Sequence, residues 1–572
     1  MTAKKNPSLR LSPSRKRAFT AALSVAGILL TATSSHATAL TWTGATAGVW
    51  GTDSNWSGTG FAPTSADDLT ILGPGNVANT LNINIAAAAA ANSINVTNTA
   101  ATTLTNTTSG SNQTLTLGAG GLTTGSGSVT IGSTTANQNI NVALSANQMW
   151  NVGSGNMTVN NVVSGTGIAL TKSGAGSLFL VGANTFSGGI TVNAGTVDIQ
   201  NNAALGTGTV TLAGGTIQAS GSADRTITNN ITAQTATTST LATSGRNLTI
   251  SGNISGSGNI NRSAPSGATT VTLSGNNSGY TGTFTQANSA NAVLSFTSVN
   301  AGSASASWVF QNTSAGRTRI GLGGAGVNGT ISFGSMTGNG VLSSDFSGTK
   351  TISAGALGLT DTFSGSIQNG SGTVALTKVG TGKMTLSGAN TYTGGTTISE
   401  GTLALGSATT LQSATGALTV NGGTLSSTVA STTLGGNLTL SGGSLAANGS
   451  SAGTIVLAAN KNFSMTSGTF SYSLNDAVTG SGTGTFSITG GTFDLTNGIT
   501  DYSIGYTIFS GFSSGSVSGL SFANYDTANY LASLSNGGVL SFSAIPEPST
   551  YAVLAGVLTL GVASFRRRRT SV

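Results

Sequence analysis

The chain has 572 residues, of which 85 are glycine and only 6% are Asp, Glu, Lys or Arg. Its formal net charge of +7 comes from the two ends, because residues 40–544 hold ten basic residues against twelve acids, a net of −2. That leaves no basic stripe to neutralise phosphates, so nucleic acid is excluded as a partner. Cysteine is absent and the one histidine is His36, so disulfides, thiolate chemistry, Ser-His-Asp triads and zinc sites built on His or Cys are excluded from residues 40–544. No cofactor and no metal site are expected.

The first 39 residues have the layout of a secretory signal peptide. Lys4, Lys5, Arg10, Arg15, Lys16 and Arg17 make a basic start, and Ala18 to Thr33 is apolar and rich in small residues. Ala37-Thr38-Ala39 offers a small-x-small cleavage site ending at Ala39, and Ser35-His36-Ala37 offers a rival ending at Ala37. The alternative is an N-terminal membrane helix.

Residues 40–75 follow, with Trp42, Trp50 and Trp56 crowded together. The first turn of a stacked structure has an open strand edge and an open apolar end that must be covered. The tryptophans are therefore expected to form an N-terminal cap, with a glycan contact through Trp42, Trp50 and Trp56 as the sharper alternative. The run Ala86 to Ala91 is read as a tightly packed or loop segment without function.

From 76 to 544 the pattern is β throughout. Runs such as Leu178-Phe179-Leu180-Val181, Thr196-Val197-Asp198-Ile199 and Leu438-Thr439-Leu440 alternate with period two between Gly and Asn turn signals. Ile190-Thr191-Val192 is followed 19 residues later by Thr209-Val210-Thr211, and Thr196-Val197 is followed 20 residues later by Thr216-Ile217. A step of about 20 residues with two or more strands per turn predicts an all-β solenoid whose turns bury their apolar sides only by stacking. A row of small β-sandwiches is the alternative fold.

One block recurs within this stretch. Leu170-Thr171-Lys172-Ser173-Gly174-Ala175-Gly176 leads into a strand and then Gly182-Ala183-Asn184-Thr185-Phe186-Ser187-Gly188-Gly189. Leu376-Thr377-Lys378-Val379-Gly380-Thr381-Gly382 leads likewise into Gly388-Ala389-Asn390-Thr391-Tyr392-Thr393-Gly394-Gly395. A weaker copy, Val271 to Gly282, lacks the leading Lys-x-Gly. These blocks, near 170–218, 376–425 and 271–285, resemble the autotransporter-associated β-strand repeat of secreted bacterial passenger domains. That resemblance implies a right-handed parallel β-helix on the cell exterior, without implying self-transport. Phe186, Tyr280 and Tyr392 fall in one place in the three copies and are expected to fold over the corner of the coil, while Lys172 and Lys378 are expected beside a turn, keeping it soluble.

Residues 545–572 end the chain with Pro546-Glu547-Pro548, the uncharged stretch Tyr551 to Phe565, and Arg566, Arg567, Arg568 and Arg569. The stretch is at best a short membrane span, held by the arginines on the cytoplasmic side. A plain C-terminal anchor is one reading. The order of motif, apolar segment and basic cluster is similar to the PEP-CTERM sorting signal of Gram-negative bacteria. By that resemblance an exosortase processes the chain near Pro546-Glu547-Pro548 after transient membrane anchoring, and the product goes to the cell surface or extracellular matrix.

The twelve acids of residues 40–544 are dispersed, and the adjacent pair Asp67-Asp68 points to opposite faces of any strand. Together these features lead us to expect a non-enzymatic structural or adhesive protein of the envelope or biofilm matrix, in contact with extracellular polysaccharide. A polysaccharide-active β-helix enzyme and a glycan-binding module are the alternatives.

Overall fold

The computed structural model describes residues 38–546, apart from 45–46, 58–61, 73–80, 108–110, 136–137, 267, 288–291, 312–317, 323–325, 412–414, 448–451 and 498, together with 557–558. Two compact units are distinguished, 1–36 and 37–572, and the described residues fall in the second. Residues 1–37 of the signal-peptide stretch, Ala37 among them, and Glu547, Pro548 and Arg566 to Arg569 lie outside them, as does the apolar tail except Val557 and Leu558, which are helical and exposed. Among the described residues no helix is long and apolar enough to cross a membrane.

The chain winds as a parallel β-solenoid of about 17 turns. Along the stack, strands hydrogen-bond in parallel to counterparts one coil earlier and one coil later. Thus Gln148–Val152 pairs with Leu170–Ser173, which pairs with Ile190–Val192, then Val210–Leu212, Ile231–Ala233 and Ile254–Gly256. A second row runs from Asn156–Val159 through Ser177–Leu180, Thr196–Ile199 and Thr216–Ala219 to Thr238–Ser244. Period-two alternation explains the interior: Ile190, Val192, Val210 and Leu212 point in and are buried, while Thr191 and Thr211 point out. Each such side chain taken fully out of water contributes about 1.5–3 kcal/mol. A single coil cannot bury its own stripe, so this term appears only when coils stack.

The register corrects one sequence expectation. A 19-residue step would set Ile190 opposite Thr209, but Ile190 pairs with Val210. A one-residue slip would turn every inward side chain of that strand outward, so burial selects the 20-residue step. Further along the coil widens. Leu248 pairs with Val271, Val271 with Leu294, Leu294 with Thr318 and Thr318 with Leu342, steps of 23 or 24 residues.

Glycine is required where turns of neighbouring coils touch. Gly195 and Gly401 have φ of +65° and +60°, and a Cβ on either would lie 2.4 Å from a backbone carbonyl oxygen of the coil before it. The parallel stack ends at Ser514–Val517 and Leu520–Ala523. There Tyr530–Leu534 and Val539–Ala544 form an antiparallel hairpin, joined by Tyr506–Thr507. Tyr502, Tyr506, Tyr525, Tyr530 and Phe542 pack their rings together beside it.

Candidate functional site

The recurring block builds the same corner twice. Lys172 is fully buried, and its Nζ donates to the carbonyls of Ser173 (2.8 Å), Gly174 (2.9 Å) and, in the following coil, Ala194 (3.1 Å). Lys378 repeats the pattern on Val379 (2.7 Å), Gly380 (2.7 Å) and Glu400 (3.3 Å). This corrects the expectation of two solubilising surface lysines. An ammonium has three N–H donors, and the corner presents three carbonyls that would otherwise be orphaned. Burial pushes the Lys172 amine down to about 8 and the Lys378 amine below its ordinary value. Lys350 is buried in similar fashion, donating to Leu322 and Val327 carbonyls.

The rings behave as the sequence suggests. Phe186, Tyr280 and Tyr392 are all buried at the coil corner. The Tyr280 hydroxyl lies within hydrogen-bond distance of the Gly258 and Thr283 carbonyls, which share its one proton, and Tyr392 shares a hydrogen bond with Thr396. Burial raises both phenols.

Sequence reasoning missed the asparagines. Asn184 accepts from the Val163 amide (2.7 Å) and donates to the Ala204 carbonyl (2.6 Å). Asn277 accepts from Ile254 and donates to Ala301. Asn390 accepts from Ile367 and donates to Thr410 and Gly388. All three are buried, and each ties the coil before it to the coil after it. The signal was present: each stands four residues beyond an inward leucine, Leu180, Leu273 or Leu386.

On the outer face, stacking aligns hydroxyls. Thr171, Thr191, Thr211, Thr232 and Ser255 are direct register partners in sequence. So are Thr377, Thr397, Thr419, Thr439, Ser464, Ser487 and Ser516. Neighbouring members are set about 4.8 Å apart by the strand spacing. All but the exposed Ser516 are half-buried. These are uncharged columns of donors and acceptors, suited to many weak contacts with a hydroxyl-rich polymer.

The candidate glycan contacts Trp42, Trp50 and Trp56 lie in the core at 3%, 3% and 5% exposure. Trp56 meets Trp42 and Trp50 edge to face at 5.1 and 5.2 Å, and its indole N–H donates to the Trp50 carbonyl. Stacking on a sugar needs an open ring face, and these faces cover one another. Ala39, from the signal-cleavage motif, opens the first strand opposite Asp68. Pro546, from the sorting motif, closes the main described stretch. Ala89 and Ala91, from the alanine run, are buried in the strand Ala89–Val96.

The acids are held apart by separate partners. Asp198 accepts from Gln218 and Ser220, and Asp494 from Thr496 and Asn524. Asp361 accepts from Ser335 and the Met336 amide. Asp476 accepts the Gly453 and Ser473 amides at 2.7 and 2.8 Å, and burial raises it to about 6. Among the described residues no three His, Cys, Asp or Glu side chains are grouped as a metal would need. A cleft of about 400 Å³ is lined, among the described residues, by Gln311, Gly338, Asn339 and Ser364, none of them titratable.

Comparison with known proteins returns to these corners. The passenger-associated-transport-repeat model matches residues 170–199 and 376–405, the two segments that carry Lys172, Asn184 and Phe186 and Lys378, Asn390 and Tyr392. Over 53 residues the chain is 55% identical to the adhesin BmaC autotransporter of Brucella suis biovar 1 (strain 1330). That stretch is 9% of this chain and only 2% of the adhesin. No solved structure matches.

Proposed function

We propose that this protein is exported and acts as an adhesive rod at the cell surface or in the extracellular matrix. The observation that carries this reading is the pair of in-register hydroxyl columns, Thr171 to Ser255 and Thr377 to Ser516. The matched transport repeats and the similarity to an adhesin autotransporter support the same reading. Each hydroxyl contributes little, and binding arises because a rigid stack presents many at one spacing. The partner is extracellular polysaccharide or neighbouring surface material, and the rod works by contact without catalysis.

Export and sorting belong to this proposal. The segment 1–39 directs export, 40–75 covers the start of the rod, and 545–572 is a sorting signal. An exosortase processes it near Pro546-Glu547-Pro548, with Arg566 to Arg569 orienting the apolar segment at the membrane beforehand. The sorted product takes its place in an exopolysaccharide or biofilm matrix.

The test uses exported protein and a panel of bacterial polysaccharides. Changing Thr377, Thr397, Thr419 and Thr439 to Val keeps β-branched shape and removes four neighbouring hydroxyls. Polymer binding is expected to fall at least tenfold with the circular dichroism spectrum unchanged and polymer length preserved throughout. Undiminished binding removes the columns from the mechanism. Shortening of the polymer by the unaltered protein replaces adhesion with polysaccharide cleavage.

A further inference from the structure

Asp67 is a carboxylate at 7% exposure with no basic side chain nearby in sequence, since none stands between Arg17 and Lys172. Its Oδ2 accepts from the Thr64 amide (2.8 Å) and hydroxyl (2.7 Å). Its Oδ1 accepts from the backbone nitrogen of Thr38 at 3.1 Å, and the Thr38 hydroxyl adds a further hydrogen bond. The Thr38 carbonyl in turn accepts from the Asp68 amide at 3.0 Å, one step before Ala39 pairs with Asp68. Burial pushes the Asp67 carboxyl up, and the Thr64 and Thr38 hydrogen bonds more than reverse this, leaving it below its ordinary value. The backbone nitrogen of Thr38 thus already points at a buried negative charge for which the first coils supply no counter-ion.

We infer that the leader is removed by hydrolysis of the Ala37–Thr38 bond, and that the α-ammonium so formed on Thr38 pairs with Asp67 to close the first coil. This rests on the export reading above. The water oxygen bonds to the Ala37 carbonyl carbon as the C–N bond breaks, Ala37 leaves as the carboxylate end of the leader, and both water protons end on the Thr38 nitrogen. An amide with one N–H becomes an ammonium with three, at hydrogen-bond distance from Asp67. Cleavage after Ala39 would instead delete Thr38, stripping Asp67 of two donors and the first strand of its opening residue.

The full chain, expressed in a Gram-negative host, is recovered from outside the inner membrane and its first residue is determined by mass spectrometry. Thr38 is expected. A first residue of Leu40, or any other, overturns this inference and leaves export standing, whereas an unprocessed chain retained in the cell overturns both. The pairing has its own readout, the rate at which an acylating reagent labels the terminal amine near pH 7.5. A free α-amine titrates near 8. Pairing raises that value and is expected to slow labelling about tenfold relative to Asp67→Asn, while Asp68→Asn leaves the rate unchanged. If Asp67→Asn yields no folded protein, the labelling pH profile of the unaltered protein decides. A midpoint well above 8 upholds the pair, and an ordinary midpoint overturns it.

Discussion

Coils 170–199 and 376–405 turn their corners on hydrogen bonds, whereas the coils from about 260 to 340 fill theirs with rings. In the first pair, Lys172 and Lys378, Asn184 and Asn390, and Phe186 and Tyr392 make matching contacts, and Leu170 to Ile190 and Leu376 to Thr396 are both 20-residue steps. In the second, steps lengthen to 23 or 24 residues, and Trp308 stacks on Phe284 at 5.1 Å with Phe296 and Phe333 at 5.3 and 5.4 Å. A longer coil encloses more cross-section, and larger side chains fill it. The weaker repeat copy stands at the transition, with Asn277 kept and one extra residue before Tyr280. A hydrogen bond to a particular carbonyl demands a particular residue at one position, whereas a filled interior demands only volume. The repeat model matches the two corners that carry the buried lysine, and not the ring-filled coils.

The sharpest way to break the repeat coils is through the ladder itself. Val197 is buried and pairs with Leu178 and Ile217. Val197→Pro removes a ladder hydrogen bond within the stack, and the cost is expected at or above about 3 kcal/mol. Two residues inserted between Asn201 and Asn202, in the adjoining loop, are expected to cost less than about 1 kcal/mol. Urea unfolding of the two variants measures the gap, and equal losses would contradict coil stacking there.

Trp308→Ala is expected to cost about 3–5 kcal/mol, because it empties the centre of the ring-filled interior. Trp308→Phe should recover more than half of that if volume is what the region requires. A Phe variant as damaged as the Ala variant would show that the Trp308 hydrogen bond to Ser303 matters more than filling.

Asn390→Ala leaves the Ile367 amide without its partner, for about 1–3 kcal/mol, while the Thr410 carbonyl keeps the Asn390 backbone N–H. Here size should not rescue: Asn390→Leu is expected to be as damaging as Asn390→Ala. Full recovery by Leu would erase the distinction between the two kinds of coil.

The smallest effect is one of pH. Asp476 joins neighbouring segments with a carboxylate that accepts two backbone N–H groups, where each asparagine accepts one and donates its own. Burial raises its folded value to about 6 from 3.8, so the folded chain holds the proton more tightly. The resulting stability is fully present below pH 3.8 and is lost as pH rises to about 6. Thermal melts across pH 3.5 to 7 should show this slope, and Asp476→Asn should flatten it. A slope unchanged by Asp476→Asn would assign it to other acids.

Much of this was legible in the residues alone. Period-two runs between glycines dictated strands, a step near 20 dictated stacking, and the recurring ring position dictated a buried corner, since only inward burial repays a Phe or Tyr there. The leader and tail were read from composition, on residues that lie largely outside those described. Other features had to wait for the fold. The one-residue register between Ile190 and Val210, the burial of Lys172 and the mutual covering of Trp42, Trp50 and Trp56 each depend on what the neighbouring coil places opposite. A lysine in a Gly-rich turn reads as solvated until three carbonyls from two coils converge on it. Sequence pattern determined that the chain coils, because alternation is local. Stacking decided which polar groups are buried and which line up outside, because those contacts join residues some 20 positions apart.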